Sequence, residues 1–183
     1  MNKILLSNGK LFDKLETHKN GLKHYAFSVF LFNEDNELLL QKRAKCKYHS
    51  GGLWSNTCCS HFLNKDELNN RNEVAKKRLF DEIGLNFNKK LSEICIFEYA
   101  QQVGKNLFEN EIDYIFSGRI SNSCCFNLNK SLNKNEVSDV KFSDLNFLEK
   151  DVITEPDKYT EWFKIFLKDK NFMSKMTFEL NKI

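Results

Sequence analysis

Three of the four histidines in this chain stand close to other groups that can bind metal or move protons. His61 lies two residues beyond Cys59 in the segment Ser55-Asn56-Thr57-Cys58-Cys59-Ser60-His61. On an extended backbone, residues i and i+2 project to the same face, so a thiol and an imidazole can line one pocket here. The segment Glu109-Asn110-Glu111-Ile112-Asp113-Tyr114 repeats that spacing with carboxylates. His18 and His24 come shortly before the first long apolar run. Each of these groups alone is ordinary, since lone histidines and alternating charges are common on surfaces. Together, three imidazoles and two carboxylates form a five-donor set suited to a borderline or hard divalent ion. The fourth histidine, His49, reads as a dispensable loop residue.

Positioning these groups requires strands. Residues 26–33 read as a strand with apolar side chains on both faces: Phe27, Val29 and Leu31 on one, Phe30 and Phe32 on the other. Glu34-Asp35-Asn36 forms the turn into a return strand over 37–43. Residues 45–63 hold Gly51-Gly52 and no sustained periodicity, which reads as a long loop of the kind that carries function. Residues 71–83 form a helix with Val74, Ala75, Leu79 and Ile83 on one face, ended by Gly84. Strands are expected over 93–102, 112–120 and 136–142, and Ser143-Asp144 caps a short helix. From Glu155 onward, Tyr159, Trp162, Phe163 and Phe166 recur at helical spacing, giving a C-terminal helix. The order predicts one domain over residues 1–183, a mixed α+β or α/β sandwich.

Composition removes several functions. The 28 basic and 25 acidic residues leave a net charge of +3, too balanced for a nucleic-acid binder. The apolar run near the start, Ile4-Leu5-Leu6, falls short of the roughly 7–15 residues of a signal peptide and the about 20 of a membrane span. Six cysteines include the vicinal pairs Cys58-Cys59 and Cys124-Cys125. Adjacent cysteines bridge only with strain, so reduced thiols and a cytoplasmic location are expected.

The Cys59 and Glu111 segments, with the run from His24 to Asn33, resemble the signature blocks of type I isopentenyl-diphosphate isomerases, which belong to the Nudix fold superfamily. The match extends from about Lys14 to Trp162. The resemblance implies a mixed sheet sandwiched between helices and a C=C-transposing activity on a small isoprenoid diphosphate. His18, His24, His61, Glu109 and Glu111 match the positions that hold a divalent ion: Mg²⁺, with Mn²⁺ or Zn²⁺ as alternatives. Cys59 matches the essential thiol, Cys58 its non-essential neighbour, Tyr99 the active-site tyrosine, and Trp162 the indole over the reacting carbons. Lys14, Arg43, Lys47 and Arg78 match contacts to the diphosphate, and Glu82 a carboxylate serving a second Mg²⁺ bound with substrate. A monomer or weak dimer is expected, with no nucleic-acid or membrane partner.

Three positions depart from the family pattern: Phe62 after the metal histidine, Ser50 before the loop glycines, and Glu161 before the indole each replace a proline. They bear on loop shape, not on a reacting group. The chief alternative is a Nudix pyrophosphohydrolase. Its glutamate-rich helix is reduced here to Asp81-Glu82 within Lys77-Arg78-Leu79-Phe80-Asp81-Glu82-Ile83-Gly84, too few carboxylates for that hydrolysis. A non-catalytic binding module would lack reactive groups that this chain keeps.

Overall fold

The computed structural model describes residues 3–122 and 128–182, so the pair Cys124-Cys125 lies outside the described residues. The chain opens with strands β1 (Lys3–Leu5) and β2 (Leu11–Asp13), paired antiparallel, and then helix α1 (Lys14–Lys19). Asp13 caps α1 by accepting from the Glu16 amide at 3.1 Å, which fixes the turn that carries Lys14 and His18.

Strand β3 (His24–Phe32) begins two residues before the expected start, and so takes His24 into the sheet. The Asn33 carboxamide accepts from the amides of Asp35 and Glu37, turning the chain into β4 (Leu38–Arg43). The expected loop over 45–63 is partly a correction. It contains β5 (Trp54–Ser55) and β6 (Cys58–His61), the latter paired antiparallel with β3 from Ala26↔His61 to Val29↔Cys58. Backbone pairing to an existing strand specifies β6, whose short polar sequence has no apolar alternation to announce it.

Helices α2 (Lys65–Asn69) and α3 (Arg71–Ile83) follow. Gly84 ends α3 in the left-handed region at φ +69, where a Cβ would also meet Ser131 Cβ at 2.3 Å. Strands β7 (Ser92–Gly104) and β8 (Leu107–Arg119) form a long antiparallel hairpin. Strand β8 starts five residues before the expectation, so Glu109 and Glu111 sit within it. It runs parallel to β3, with His24 opposite Glu111.

Strand β9 (Val137–Ser143) pairs with β4, completing a seven-stranded mixed sheet ordered β5-β4-β3-β8-β7, with β6 on β3 and β9 on β4. Helix α4 (Leu145–Thr154) is capped by Asp144, as read from the sequence. The single C-terminal helix is a second correction: it divides into α5 (Glu161–Lys168) and α6 (Lys170–Leu180) at Asp169. The Asp169 carboxylate accepts from the Phe172 amide at 2.8 Å, so it starts a new helix instead of extending the old one.

The two faces of β3 bury separate cores. Phe27, Val29 and Leu31 pack with Ala75, Leu79 and Ile83 of α3, while Phe30 and Phe32 pack with Trp162, Phe163, Phe166 and Phe172. Each fully buried phenylalanine contributes roughly 1.5–3 kcal/mol. The sheet is therefore clamped between helices on both faces, as expected. Among the described residues, no helix is long and apolar enough to cross a membrane.

Candidate active site

Four neighbouring strands present their polar residues at one end of the sheet. Pairing sets Ala26 beside His61, His24 beside Glu111, and Tyr99 of β7 beside Glu111. Alternation along β8 puts Glu109, Glu111 and Asp113 on the same face, with Ile115 deeper in the apolar core. His18 arrives from α1.

Glu109 is the centre of the group. Its Oε2 lies 2.9 Å from His18 Nε2, 3.6 Å from His24 Nε2 and 3.9 Å from His61 Nε2. Glu111 Oε1 lies 3.1 Å from His61 Nε2 and 3.5 Å from His24 Nε2. His18 Nδ1 faces the Lys14 carbonyl at 2.6 Å and His24 Nδ1 the Leu22 carbonyl at 2.8 Å. A carbonyl only accepts, so both rings carry hydrogen on Nδ1, which leaves Nε2 as the atom turned toward the carboxylates. His24 Nε2 and Glu109 Oε2 are buried without a hydrogen-bond partner among the described residues. His18, His24, His61 and Glu109 each offer a donor atom, and these atoms lie within 4.8 Å of one another. Converging, unsatisfied donors of this type fit a divalent cation.

Charge supports that fit. Burial disfavours a proton on His24, yet Glu109 and Glu111 outweigh it and push the group up to about 10. Four imidazoles hold Glu109 well below the usual carboxylate range, against the effect of burial. In the metal-free protein a proton on His24 thus offsets some of the negative charge. A pKa raised from 6.5 to about 10 means this proton is bound between those values and must leave when Nε2 binds an ion. Metal affinity should therefore rise by about tenfold per pH unit across that window. Mn²⁺ titration at pH 7 and pH 8 tests this; equal affinities would mean that His24 carries no proton.

Glu111 uses its second oxygen to accept from the Tyr99 hydroxyl at 2.7 Å. Cys59 faces the same cavity of about 50 Å³, together with Glu109, Glu111, Tyr99 and Trp162. Its thiol donates to Asn56 Oδ1 at 3.5 Å, and burial pushes it up to about 12, opposed in part by Arg43. Trp162 is fixed by its indole N–H, which donates to Ser55 Oγ at 2.9 Å. The Arg43 guanidinium stands 5.1 Å from that ring, so the indole face already holds a cation.

Lys14, Arg43, Lys47 and Arg78 line one side of the cavity with Glu82 and Glu136. Arg78 pairs with Glu82, and Lys47 with Glu136. Burial lowers Lys14, and the nearby Lys47 adds to the effect. A wider cavity of about 560 Å³ shares Lys14, Lys47, Ser60, His61 and Arg78 with the inner one and leads outward. Lys14, Arg43, Cys59, Arg78, Glu82, Tyr99 and Trp162 thus meet around one cavity beside the His18, His24, His61 and Glu109 group, while Cys58 faces the other side of the sheet.

Sequence reasoning missed several residues. His49 is in a loop as expected, but it is buried, with Nε2 3.2 Å from Glu109 Oε1, a contact that the reading of it as a dispensable loop residue did not foresee. Asp113 is buried, accepts from Ser28 Oγ at 2.8 Å, and is raised well above the ordinary range by burial and by Glu111. Its i, i+2 spacing from Glu111 was the available signal. Glu136 gave none, being one acidic residue ahead of a strand.

The Nudix domain pattern matches residues 22–163 of this chain. Two solved structures share the fold: the MutT protein from Methanosarcina mazei, with a TM-score of 0.56 at 15% identity over 84% of this chain and 95% of that one, and DR0079 from Deinococcus radiodurans, with a TM-score of 0.60 at 10% identity over 91% and 96%. Closer sequence similarity is found to "Isopentenyl-diphosphate Delta-isomerase" of Aliivibrio fischeri, 40% identical over 82% of both chains. The similarly named protein of Pectobacterium atrosepticum is 34% identical over 84% of this chain and 79% of its own. The chain belongs to the Nudix family, and within it to the group formed by these isopentenyl-diphosphate Delta-isomerase relatives.

Proposed function

We propose that this protein interconverts isopentenyl and dimethylallyl diphosphate, with Cys59 and Glu111 as the proton-handling pair. The observation that carries the reading is that both line one cavity, together with Trp162 and four cations. Moving an unactivated double bond requires a proton at one carbon and its removal two carbons away, through a cation-like intermediate. Water would quench that intermediate. A cavity of about 50 Å³ admits only a few waters, which a bound substrate displaces.

In the direction from isopentenyl diphosphate, Glu111, hydrogen-bonded by Tyr99, delivers the proton to the terminal methylene. Cys59 takes the proton from the neighbouring methylene. Burial keeps the Cys59 thiol protonated in the metal-free protein, while His24 and His61 hold Glu111 ionised against burial and Glu109. The single proton of the pair therefore rests on sulfur, the arrangement needed for the reverse direction. In the forward direction the pair must instead carry its proton on Glu111 and its charge on sulfur. Trp162 stabilises developing positive charge without offering a nucleophile, by about 0.5–2 kcal/mol.

His18, His24, His61, Glu109 and Glu111 would hold the divalent ion, Mg²⁺ or in its place Mn²⁺ or Zn²⁺; it would fix Glu111 and tune its acidity. Glu82 would serve a second Mg²⁺ carried by the substrate. Lys14, Arg43, Lys47 and Arg78 receive the diphosphate, exchanging the carboxylates of Glu82 and Glu136 for phosphate oxygens. Thiol chemistry at Cys59 needs a reducing compartment, which favours the cytoplasm. We take the chain as one functional domain acting as a monomer or weak dimer.

The test is incubation with isopentenyl diphosphate and Mg²⁺ in heavy water. Dimethylallyl diphosphate carrying deuterium is expected. Release of phosphate or a monophosphate from nucleoside diphosphate derivatives, without isomerisation, would overturn the assignment in favour of a hydrolase. Of the Asp81-Glu82 pair on α3, only Glu82 lines the inner cavity, which already argues against that outcome.

A further inference from the structure

Glu109 is held from two sides. One oxygen, Oε2, faces the three imidazoles of the metal group, and the other, Oε1, lies 3.2 Å from His49 Nε2. We infer that His49 is a positioning residue that sets the orientation of the Glu109 carboxylate for metal binding. The inference rests on the metal reading above and deepens it.

A carboxylate only accepts, so His49 Nε2 must carry the hydrogen. In the neutral ring, Nδ1 then accepts from Ser50 Oγ, 3.1 Å away. Ser50 sits in the left-handed region at φ 51, and a Cβ on the following Gly51 would meet the Lys45 carbonyl oxygen at 2.7 Å. This tight local geometry places a hydroxyl behind the imidazole. The ring is also braced by Tyr48 at 4.4 Å and Trp162 at 5.8 Å between centroids, both edge to face. Ser50, His49 and Glu109 thus form a directed chain that ends at Oε1, the carboxylate oxygen turned away from the three imidazoles. Among the described residues, no other ion pair or hydrogen bond of Glu109 Oε1 is found, so without His49 only the contacts at Oε2 orient the carboxylate. Partners of this kind behind a ligand typically change metal affinity by about 10–100-fold.

The test measures Mn²⁺ affinity by electron paramagnetic resonance of the free ion, with thermal melting recorded on each protein. Two replacements separate the donor from the ring. His49→Phe keeps the aromatic contacts and loses the N–H; His49→Gln keeps an N–H donor and loses the ring. The Phe variant should bind Mn²⁺ about 10–100-fold more weakly, and Gln should recover most of the loss. Ser50→Gly tolerates the backbone angle and removes the hydroxyl, so it should weaken binding in the same direction even if the His49 variants fail to fold. Unchanged affinity in Phe, or equal weakening in Phe and Gln that follows lost thermal stability, would overturn the positioning role alone. Failure of the unmodified protein to bind Mn²⁺ would overturn the metal reading and this inference together.

Discussion

Cys59→Ser is expected to fold as the parent protein does and to lose turnover by about 10²–10⁴-fold, the usual contribution of one positioned acid–base group. An alcohol in the same place is a far weaker base than a thiolate, and it gains nothing from the neighbouring Arg43 that partly offsets burial at sulfur. Cys58→Ser is the control. Residues i and i+1 of β6 project to opposite faces, and Cys58 is fully buried against the α3 side of the sheet, away from the cavity. Its replacement buries a hydroxyl, which costs about 1–3 kcal/mol of stability and leaves turnover largely intact. Isomerisation rates and melting curves for the two variants check this. A Cys58 variant that is dead beside an active Cys59 variant would place the wrong thiol in the site.

His61→Ala is expected to remove tight binding of one equivalent of divalent ion, and activity with it. His61 Nε2 stands between Glu111 Oε1 and Glu109 Oε2, so its loss withdraws an imidazole and separates the two carboxylates that it bridges. The loss of affinity should exceed the about 10–100-fold that follows loss of a mere supporting partner. Elemental analysis after dialysis measures it directly. Retention of a full equivalent of ion by this variant would sink the five-ligand arrangement.

The i, i+2 spacings made much of this site legible in the sequence. Cys59 with His61, and Glu109 with Glu111, fall on common faces because the segments are strands, and alternation was the reason for pairing them. The α3 stripe and its Gly84 stop were also readable, because helical periodicity and a left-handed cap are local. What remained hidden depends on tertiary pairing. Strand β6 has only four polar or small residues and owes its existence to β3. Asp169 was concealed within a continuous apolar stripe, although an aspartate that can cap a new helix was visible there. His49 belongs to a loop without periodicity, so no local pattern could bring its ring against a carboxylate 60 residues away in sequence. The sequence also marks all four cations without revealing that Glu82 and Glu136 already occupy two of them.

The parallel pairing of β3 with β8 has a consequence for how the protein is made. The hydrogen bond from Ser28 to Asp113 spans 85 positions, and His24 meets Glu111 along the same ladder. Contacts this distant form slowly, because the chain must close a large loop before pairing repays the lost entropy. A nascent chain that has emerged only through β7 holds all the imidazoles of the metal group and neither of its glutamates. The carboxylates of the candidate metal group therefore join its imidazoles only once β8 has been synthesised and has docked on β3.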